Sequence, residues 1–467
     1  SNLVNAGLIL FHGILTLLFT IYSSLSALTT GKIHLSNYVS LMKIPHSFAV
    51  TSYFMIDDLN VIFLLITGVL YAGISLYNYQ FIRFSKEDAR RNNNYSIGVI
   101  IFVCSIIGLI MSSHMALLWV FLELSTLSST FLIIYQKNRH SLEAGWKYIF
   151  ICSIGIALAF FGIILLTIGL GEHNSLFFND LYQNAKLINP FWLKLSFIFI
   201  LIGMGTKMGL APVHTWLPDA HSEAPSPISA LLSGGLLNVA FLGIIRFHKI
   251  MKLTGYGNLS TSLLMLMGFF SIIVCAIYIF RVKNYKRMFA YSSIENMGII
   301  AIGSALGGIA FYAALLHMLA HSLSKGAVFL TAGNILHNTK TKNIKDIHGL
   351  AATDPINAWL LLLSFLSLSG IPPFPIFMSE LMMIKSMLIT HPFYTVMFVL
   401  LLTIVIAGMG KNVFSMVFGE KMTEYCHRKE HFMAYLPQIL FIVCLLVLGV
   451  YLPGCLHKVI TYAAFSI

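Results

Sequence analysis

The chain is 467 residues long, and 58% of its residues are hydrophobic while only 10% are charged. Ordinary soluble domains carry roughly 25% charged residues, so this composition excludes a soluble globular protein and indicates a membrane protein. The formal net charge of +12 does not indicate a nucleic-acid partner, because most basic residues are confined to short connections between long apolar runs.

The apolar runs are each close to the roughly 20 residues that a helix needs to cross a bilayer. The alternation of apolar and polar residues that is typical of an outer-membrane β-barrel is missing from them. The sequence therefore predicts an all-α polytopic membrane protein, with about 13 transmembrane helices and a range of about 12 to 14. The runs cover residues 3–28, 58–79, 96–113, 115–135, 148–170, 191–217, 226–248, 258–280, 288–306, 308–336, 356–389, 393–418 and 433–455.

The basic connections follow the even-numbered runs, so they share one side of the membrane if every run crosses once. By the positive-inside rule this side is cytoplasmic, and the N-terminus lies there too. We therefore expect a multi-pass protein of the cell's inner, cytoplasmic membrane, without a cleavable signal. One basic stretch, "RFHKIMK", follows the seventh run and falls on the opposite side. The basic connections are "RFSKEDARR", "QKNRHSLEAGWK", "RVKNYKR", "HNTKTKNIKD" and "CHRKEH".

The sequence predicts neither a cofactor nor a metal, because the cysteines are scattered singly without the spacing of an iron–sulfur or zinc site. Asp219, His221 and Glu223 have side chains that could bind a metal, but their position after a broken helix favours capping and loop structure. Electrons are therefore not expected to pass through this chain. The cysteines are Cys104, Cys152, Cys275, Cys426, Cys444 and Cys455.

Ionisable side chains at membrane depth are the candidates for function, because such groups are costly there. Lys207 lies about 12 residues into its run, which places it roughly 18 Å deep. Glu123 is similarly deep, and His317, His321 and Lys325 share one helix face at i, i+4 and i+8. The alternative is that these groups are satisfied ion pairs or hydrogen bonds between helices. Their clustering favours a proton or ion path.

Glycine and proline interrupt two of the runs, first at Gly209 to Pro212 and again about 160 residues later. Gly370 opens the second break, and Glu380 and Lys385 follow it in apolar surroundings. A broken helix exposes backbone polar groups, which are tolerated only beside protein or a water-filled cavity. We therefore expect Lys207 to lie in a hydrated pocket, where it could release and regain a proton when a nearby carboxylate changes.

The stretch "GMGTKMGLAPVHTWLPDAHSEAPSPISALL" closely resembles the signature of the antiporter-like membrane subunits shared by respiratory complex I, Mrp-type cation/proton antiporters and membrane-bound nickel-iron hydrogenases. The resemblance covers most of the chain, from "IDDLNVIFLLITG" through "HSLSKGAVFLTAGNI" to "SGIPPFPIFMSE". Within that family, "NRHSLEAGWKYI" and "LLNVAFLGIIRFH" are most similar to component F of the group 4 hydrogenases, hydrogenase-4 and formate hydrogenlyase.

The resemblance implies two inverted five-helix repeats with discontinuous helices, each forming half of a proton path. The implied segments are N-terminal transmembrane helices over 1–95, a first repeat over 96–250, a second over 258–418 and a C-terminal transmembrane helix over 419–467. By motif match Glu123 resembles the glutamate that pairs with the broken-helix lysine, and Lys207 resembles that lysine. Lys325 resembles the central lysine of the second half, with His317 and His321 on the connecting axis.

Glu380 resembles the charged exit position after the second break, and Lys385 is a secondary candidate. The chain departs from its relatives at Asn238, where complex I subunits often have lysine or histidine. An amide can order water but carries no titrating charge, so the link between the two halves stays open. Glu295 stands where relatives can have histidine, and helix packing explains it as well as function does. Relatives also often have one more helix at the N-terminus.

The resemblance implies a proton-translocating subunit of a redox-driven complex, with no redox site of its own. Its partners would be other integral membrane subunits, lipid, and peripheral nickel-iron and iron–sulfur subunits. One alternative is an ion-exchange subunit of a cation/proton antiporter assembly without redox activity. Another is a structural anchor whose polar groups no longer conduct. The sequence leaves open whether the ion is a proton or sodium.

Overall fold

The structure, a computed structural model, describes residues 2–30, 33–34, 53–85, 87–172, 175–420 and 432–466. The connection "CHRKEH" and Cys426 therefore lie outside the described residues. Helices dominate the described chain, as the composition predicted. Two short strands, β1 (Ile33–His34) and β2 (Met55–Ile56), pair antiparallel.

In the first half of the chain, the first predicted break lies between α7 and α8. A π-helical turn, Leu232–Leu236, joins α9 to α10, and 3-10 turns cover Ile134–Gln136 and Ala185–Leu187. The helices are α1 (Asn2–Thr30), α2 (Asp58–Arg83), α3 (Ala89–Met111), α4 (Met115–Ile133), α5 (Arg139–Leu170), α6 (Phe178–Gln183), α7 (Pro190–Met208), α8 (Trp216–Glu223), α9 (Ser226–Leu231) and α10 (Leu237–Leu253).

The helices of the remaining chain include the second predicted break, between α15 and α16. Further 3-10 turns cover Ile344–Asp346 and Phe432–Ala434. The helices are α11 (Gly257–Tyr278), α12 (Tyr285–Leu306), α13 (Gly308–Thr339), α14 (Leu350–Thr353), α15 (Pro355–Leu368), α16 (Pro375–Thr390), α17 (Pro392–Val417), α18 (Leu436–Val450) and α19 (Gly454–Phe465).

Within the described residues, 10 helices are long and apolar enough to cross a membrane, or 11 if α18 and α19, bent by 79°, form one span. The other predicted runs correspond to α12, which carries many polar side chains, and to the broken pair α15 and α16. The all-α membrane architecture is thus confirmed. The count of about thirteen spans, the inverted repeats and the segment boundaries stay predictions.

Two predicted boundaries were wrong. The connection "QKNRHSLEAGWK" is mostly helical, because α5 begins at Arg139 and the Asn138 side chain caps it by accepting from the Ser141 amide at 2.7 Å. The stretch "RFHKIMK" forms the last turns of α10 rather than a loop. Its first residue, Arg246, is 1% exposed and bonds Asp57 at 2.9 Å. The charge of Arg246 is therefore compensated by Asp57, and the sidedness of the stretch stays a prediction.

The interior of the bundle is formed by α13 and the α9–α10 segment, whose apolar windows are 100% buried. Small residues allow the outer helices to approach one another closely, as in other membrane proteins. Where α5 meets α7, a Cβ atom on Gly203 would lie 2.4 Å from the Gly155 carbonyl oxygen and 2.6 Å from the Ala159 nitrogen. This contact fixes the position of α7, whose last turn carries Lys207.

Gly203→Ala should destabilise the protein by about 1–3 kcal/mol, because the added methyl group would force the α5 and α7 backbones apart. Gly7→Ala is the matched control, since a Cβ atom there meets nothing within 4 Å. The control should be neutral or stabilising, because alanine favours helix more than glycine does. Thermal unfolding of the detergent-solubilised variants measures both effects. Equal melting temperatures for the two variants would contradict the close packing.

Candidate functional site

The first break is closed by hydrogen bonds within the protein. Gly209 adopts a left-handed conformation, with φ of 80°, and ends α7. The Leu210 amide bonds back to the Gly205 carbonyl at 2.9 Å, and the Trp216 indole donates to the Thr206 carbonyl at 2.8 Å. These bonds place Lys207 in the last turn of α7, where the helix dipole favours a cation.

Lys207 is 0% exposed, and its ammonium group contacts hydroxyl groups. Its Nζ atom donates to Thr126 Oγ1 at 2.7 Å and to the Tyr148 hydroxyl at 2.6 Å. It also lies 4.7 Å from the centre of the Tyr148 ring. The Tyr148 hydroxyl is in turn 2.6 Å from Ser129 Oγ. The lysine therefore belongs to a hydroxyl network that joins α4, α5 and α7.

Glu123 lies one turn before Thr126 on α4 and is half-buried. Its Oε2 atom is buried and has no hydrogen-bond partner in the part of the chain that the structure describes. Among these residues, no ion pair within 4 Å joins Glu123 to Lys207. The direct ion pair between Glu123 and Lys207 that the resemblance implied is thus not formed in this structure. The Lys207 ammonium group donates to hydroxyl groups instead.

Lys325 is also 0% exposed and lies in the middle of α13. Its Nζ atom donates to the Phe289 carbonyl at 2.6 Å and to Ser292 Oγ, both on α12. It lies 5.9 Å from the centre of the Phe329 ring. Glu295, one turn after Ser292 on α12, is buried but forms no ion pair with Lys325 within 4 Å in the described structure. Both buried lysines therefore rest on neutral oxygen atoms.

The two histidines of α13 are fully buried but differ in their contacts. His317 lies 2.9 Å from both Ser379 Oγ on α16 and Asn296 Oδ1 on α12. It thus bridges these two helices through Ser379, the residue before Glu380 in the sequence. His321 has two buried ring nitrogens, neither with a hydrogen-bond partner among the described residues. Of the two, only His317 therefore links neighbouring helices through hydrogen bonds.

The second break brings the Glu380 side chain against the backbone of Gly370. Gly370 has φ of 57°, and the Ile371 amide bonds back to the Leu366 carbonyl at 3.2 Å. The Glu380 carboxylate lies over Gly370, where a Cβ atom would be 2.2 Å from its Oε2 atom. Glu380 is half-buried, whereas Lys385 is exposed on the outer side of α16. The structure thus places Glu380 against the second break and leaves Lys385 apart.

Asn238 connects the α10 helix to α13. Its amide nitrogen donates to the Gly234 carbonyl and to Ser322 Oγ, each at 2.7 Å. Ser322 directly follows His321 on α13. The Asn238 carbonyl oxygen is buried and has no partner within the described ranges. An unpaired amide oxygen between the two lysine networks is able to accept a hydrogen bond from a water molecule or a displaced side chain.

His221 is the main residue that the sequence analysis missed. Instead of capping a loop, it lies in α8, is 0% exposed and stacks on Phe329 with ring centres 5.1 Å apart. Lys325 approaches the same ring. Both nitrogens of His221 lack a hydrogen-bond partner among the described residues. It therefore lies between the first break and the second lysine.

The helical period explains why His221 faces inward while its acidic neighbours do not. Residues two apart on a helix point to nearly opposite sides. Asp219 and Glu223, each two residues from His221, therefore lie on the opposite side of α8 from it. Assigning "WLPDAHSE" to a helix would have predicted this orientation. Asp219 pairs with Lys147 at 3.1 Å and with Arg287, and Glu223 pairs with Lys342 at 2.9 Å. These two carboxylates are therefore engaged by cations.

These contacts define the class of protein: a multi-pass helical membrane protein whose interior carries titratable side chains from one broken helix to the other. Residues 112–407, well over half of the chain, match the family described as the transmembrane part of NADH:quinone oxidoreductase and Mrp antiporter subunits. The chain belongs to this family and is an antiporter-like membrane subunit of the complex I and hydrogenase superfamily. The resemblance found in the sequence is thus confirmed.

Individual relatives agree with this assignment. The hydrogenase-4 component F homolog of Methylacidiphilum infernorum is 34% identical over 415 residues, which cover 86% of each chain. A chain of the membrane-bound sulfane sulfur reductase, an archaeal respiratory membrane complex, has a TM-score of 0.88 at 24% identity, covering 100% of this chain and 93% of that one. A chain of the Mrp complex from Dietzia sp. DQ12-45-1b has a TM-score of 0.80 at 17% identity, covering 99% and 95%. The two structures share this fold.

Lys207→Met should leave the protein as stable as before or stabilise it by up to about 4 kcal/mol, as when other buried charges are replaced by apolar groups of similar volume. The hydroxyl groups left behind keep partners, because Tyr148 still contacts Ser129 at 2.6 Å and Thr126 still bonds the carbonyl one turn earlier at 3.1 Å. Thermal unfolding in detergent measures the change.

The control for this substitution is Lys385→Met, which removes an exposed lysine. It should change the free energy of unfolding by less than about 0.5 kcal/mol, as is usual for surface sites. A clear loss of stability in Lys207→Met but not in the control would mean that the buried ammonium contributes net stability.

Proposed function

We propose that the chain is a proton-translocating subunit of a redox-driven membrane complex of the hydrogenase and complex I type. The observation that carries this proposal is the contact of both buried lysines with neutral oxygen atoms. Lys207 bonds two hydroxyl groups, and Lys325 bonds one hydroxyl group and one carbonyl group. Neither lysine has a carboxylate within 4 Å among the described residues.

Hydroxyl partners suit a lysine that gains and loses a proton. A hydroxyl group both donates and accepts, so it can bond a charged ammonium or a neutral amine after a rotation about its C–O bond. A carboxylate only accepts and strongly favours the charged form of its neighbour. An arrival of charge at Glu123 or Glu295 could therefore shift either lysine between its two states, since each carboxylate lies one turn from a hydroxyl partner.

The proposed path enters near Glu123 and passes through Lys207. It continues past His221 and Asn238 to Lys325 in the second half. From there it follows Ser292, Asn296 and His317 to Ser379 and Glu380, a segment in which His317 supplies hydrogen bonds at 2.9 Å on both sides. Steps without a direct hydrogen bond, including those at His321, require ordered water or a side-chain movement.

The partner reaction in this proposal belongs to other subunits. Electron transfer and hydrogen, formate or quinone chemistry would take place on peripheral nickel-iron and iron–sulfur subunits, and neighbouring integral membrane subunits would transmit it. The likeness to the hydrogenase-4 component F homolog of Methylacidiphilum infernorum supports this choice. The half-buried positions of Glu123 and Glu380 also leave both ends of the path close to the outer surface of the chain. The location would be the cell's inner membrane.

A second candidate is an ion-exchange subunit of a cation/proton antiporter assembly without redox activity. The shared fold with a chain of the Mrp complex favours it, because the same interior would then couple protons to a cation gradient. The third possibility, a structural anchor, is less well supported. A purely structural role would favour apolar residues or closed ion pairs at Lys207 and Lys325, since unpaired buried charge is costly.

A mass-spectrometric inventory of the assembly purified through an affinity tag on this chain distinguishes the first two candidates. We expect a nickel-iron large subunit and iron–sulfur proteins to co-purify in stoichiometric amounts. Proteoliposomes holding the same assembly should acidify or alkalise their lumen only during the redox reaction. An assembly of membrane subunits alone, exchanging cations for protons without an electron donor, would instead support the antiporter.

Lys325→Arg should abolish most proton movement, because arginine keeps the charge but cannot release its proton at accessible pH. Lys385→Arg is the matched control, since that lysine is exposed and outside the path. The measurement is proton movement in proteoliposomes of the whole assembly, normalised to partner turnover, after gel filtration has established that both variants assemble. Full coupling in Lys325→Arg would leave Lys325 as a structural charge.

A further inference from the structure

A small cavity lies at the end of α2, far along the chain from both breaks. Its volume is about 130 Å³, and it is lined by Tyr79, Gln80, Arg83, Phe84 and Met433. Arg83 is the last residue of α2, and the polar connection "RFSKEDARR" begins with it. The cavity therefore lies where a membrane-spanning helix leaves the bilayer, on the side that the basic connections predict to be cytoplasmic.

The Arg83 side chain is exposed and has no carboxylate within 4 Å in the described part of the chain. Its guanidinium group lies 6.0 Å from the centre of the Tyr79 ring and 5.5 Å from that of Phe84. By contrast, Arg91 on the next helix is paired with Glu87. The Arg83 guanidinium group thus lies beside two aromatic rings, and its five N–H donors remain available. A phosphate is a suitable acceptor, because a guanidinium binds it with two parallel hydrogen bonds.

Gln80 supplies a second polar group to the same cavity. Its amide oxygen is buried and accepts no hydrogen bond from any described residue. A buried acceptor without a donor is unfavourable, so a ligand hydroxyl group that reaches it after a rotation of the Gln80 side chain would be favoured. The cavity thus offers a cation for a phosphate and, one turn earlier in the helix, an acceptor for a hydroxyl group.

The surroundings favour a lipid over a water-soluble phosphate compound. Phe84 is 62% exposed, and Phe432, beside the cavity residue Met433, is 63% exposed. Large apolar side chains exposed at the end of a membrane-spanning helix offer a surface to acyl chains. Basic pockets on the cytoplasmic side of membrane helices are also suited to anionic lipid headgroups.

We propose that this cavity binds the headgroup of an anionic glycerophospholipid that carries free hydroxyl groups, of the phosphatidylglycerol type. The phosphate lies on the Arg83 guanidinium, and a headgroup hydroxyl donates to the Gln80 amide oxygen. The acyl chains extend over the exposed faces of Phe84 and Phe432 into the bilayer. This site is independent of the proton path, since it shares no residue with it.

Native mass spectrometry of the delipidated full-length chain, titrated with lipids of defined headgroup, tests the proposal. Phosphatidylglycerol should bind at least about tenfold more tightly than phosphatidylcholine, as expected for one well-placed arginine. Arg83→Gln should remove this preference. Arg90→Gln is the matched control, because Arg90 is exposed on the same connection but does not line the cavity. Equal losses in the two variants would overturn the site in favour of general surface charge.

A second comparison isolates the hydroxyl group. Gln80→Leu should weaken phosphatidylglycerol several-fold but leave phosphatidylmethanol, an anionic lipid without a headgroup hydroxyl, unchanged. Equal effects on the two lipids would overturn the role of Gln80. Glycerophosphoglycerol, the same headgroup without acyl chains, distinguishes the sources of the phosphate. If it displaced the lipid at equal concentration, the ligand would be a water-soluble compound and the lipid proposal would be overturned.

Discussion

The burial of two lysine side chains, neither in contact with a carboxylate of the described residues, is the constraint on which the rest of the structure depends. An ammonium group removed from water costs several kcal/mol unless polar atoms replace its hydration. Lys207 finds these atoms on α4 and α5, and Lys325 finds them on α12. Helices that would otherwise pack through apolar residues must therefore place hydroxyl and carbonyl oxygens at these depths.

The broken helices meet this constraint by different means in the two halves. In the first, the left-handed Gly209 ends α7 directly after the lysine turn, so that the ammonium lies at the negative end of the helix. In the second, Lys325 lies within an unbroken α13, and the break instead brings Glu380 over the backbone of Gly370. His317 bridges α12 and α16, so the helix that carries Glu380 is hydrogen-bonded to the helix whose oxygen atoms hold Lys325.

The sequence was sufficient to predict the all-α membrane fold, both breaks and the burial of the lysines, because each depends on local composition. The direct partners of the lysines could not be predicted in this way. Serine and threonine in membrane helices commonly bond their own backbone, so tertiary partners such as Thr126 and Ser292 follow only from helix packing. His221 was missed because its proline-rich surroundings indicated a loop, whereas they form the helix α8.

The central claim is that Lys207 and Lys325 change protonation while the assembly works. Infrared difference spectroscopy of the complex, with isotopically labelled lysine and triggered turnover, observes this change directly through the ammonium deformation bands. We expect label-sensitive bands that disappear when both lysines are replaced by methionine. Proton movement at full rate with no label-sensitive lysine band in the unsubstituted complex would contradict it, because neither lysine would then change its protonation during turnover.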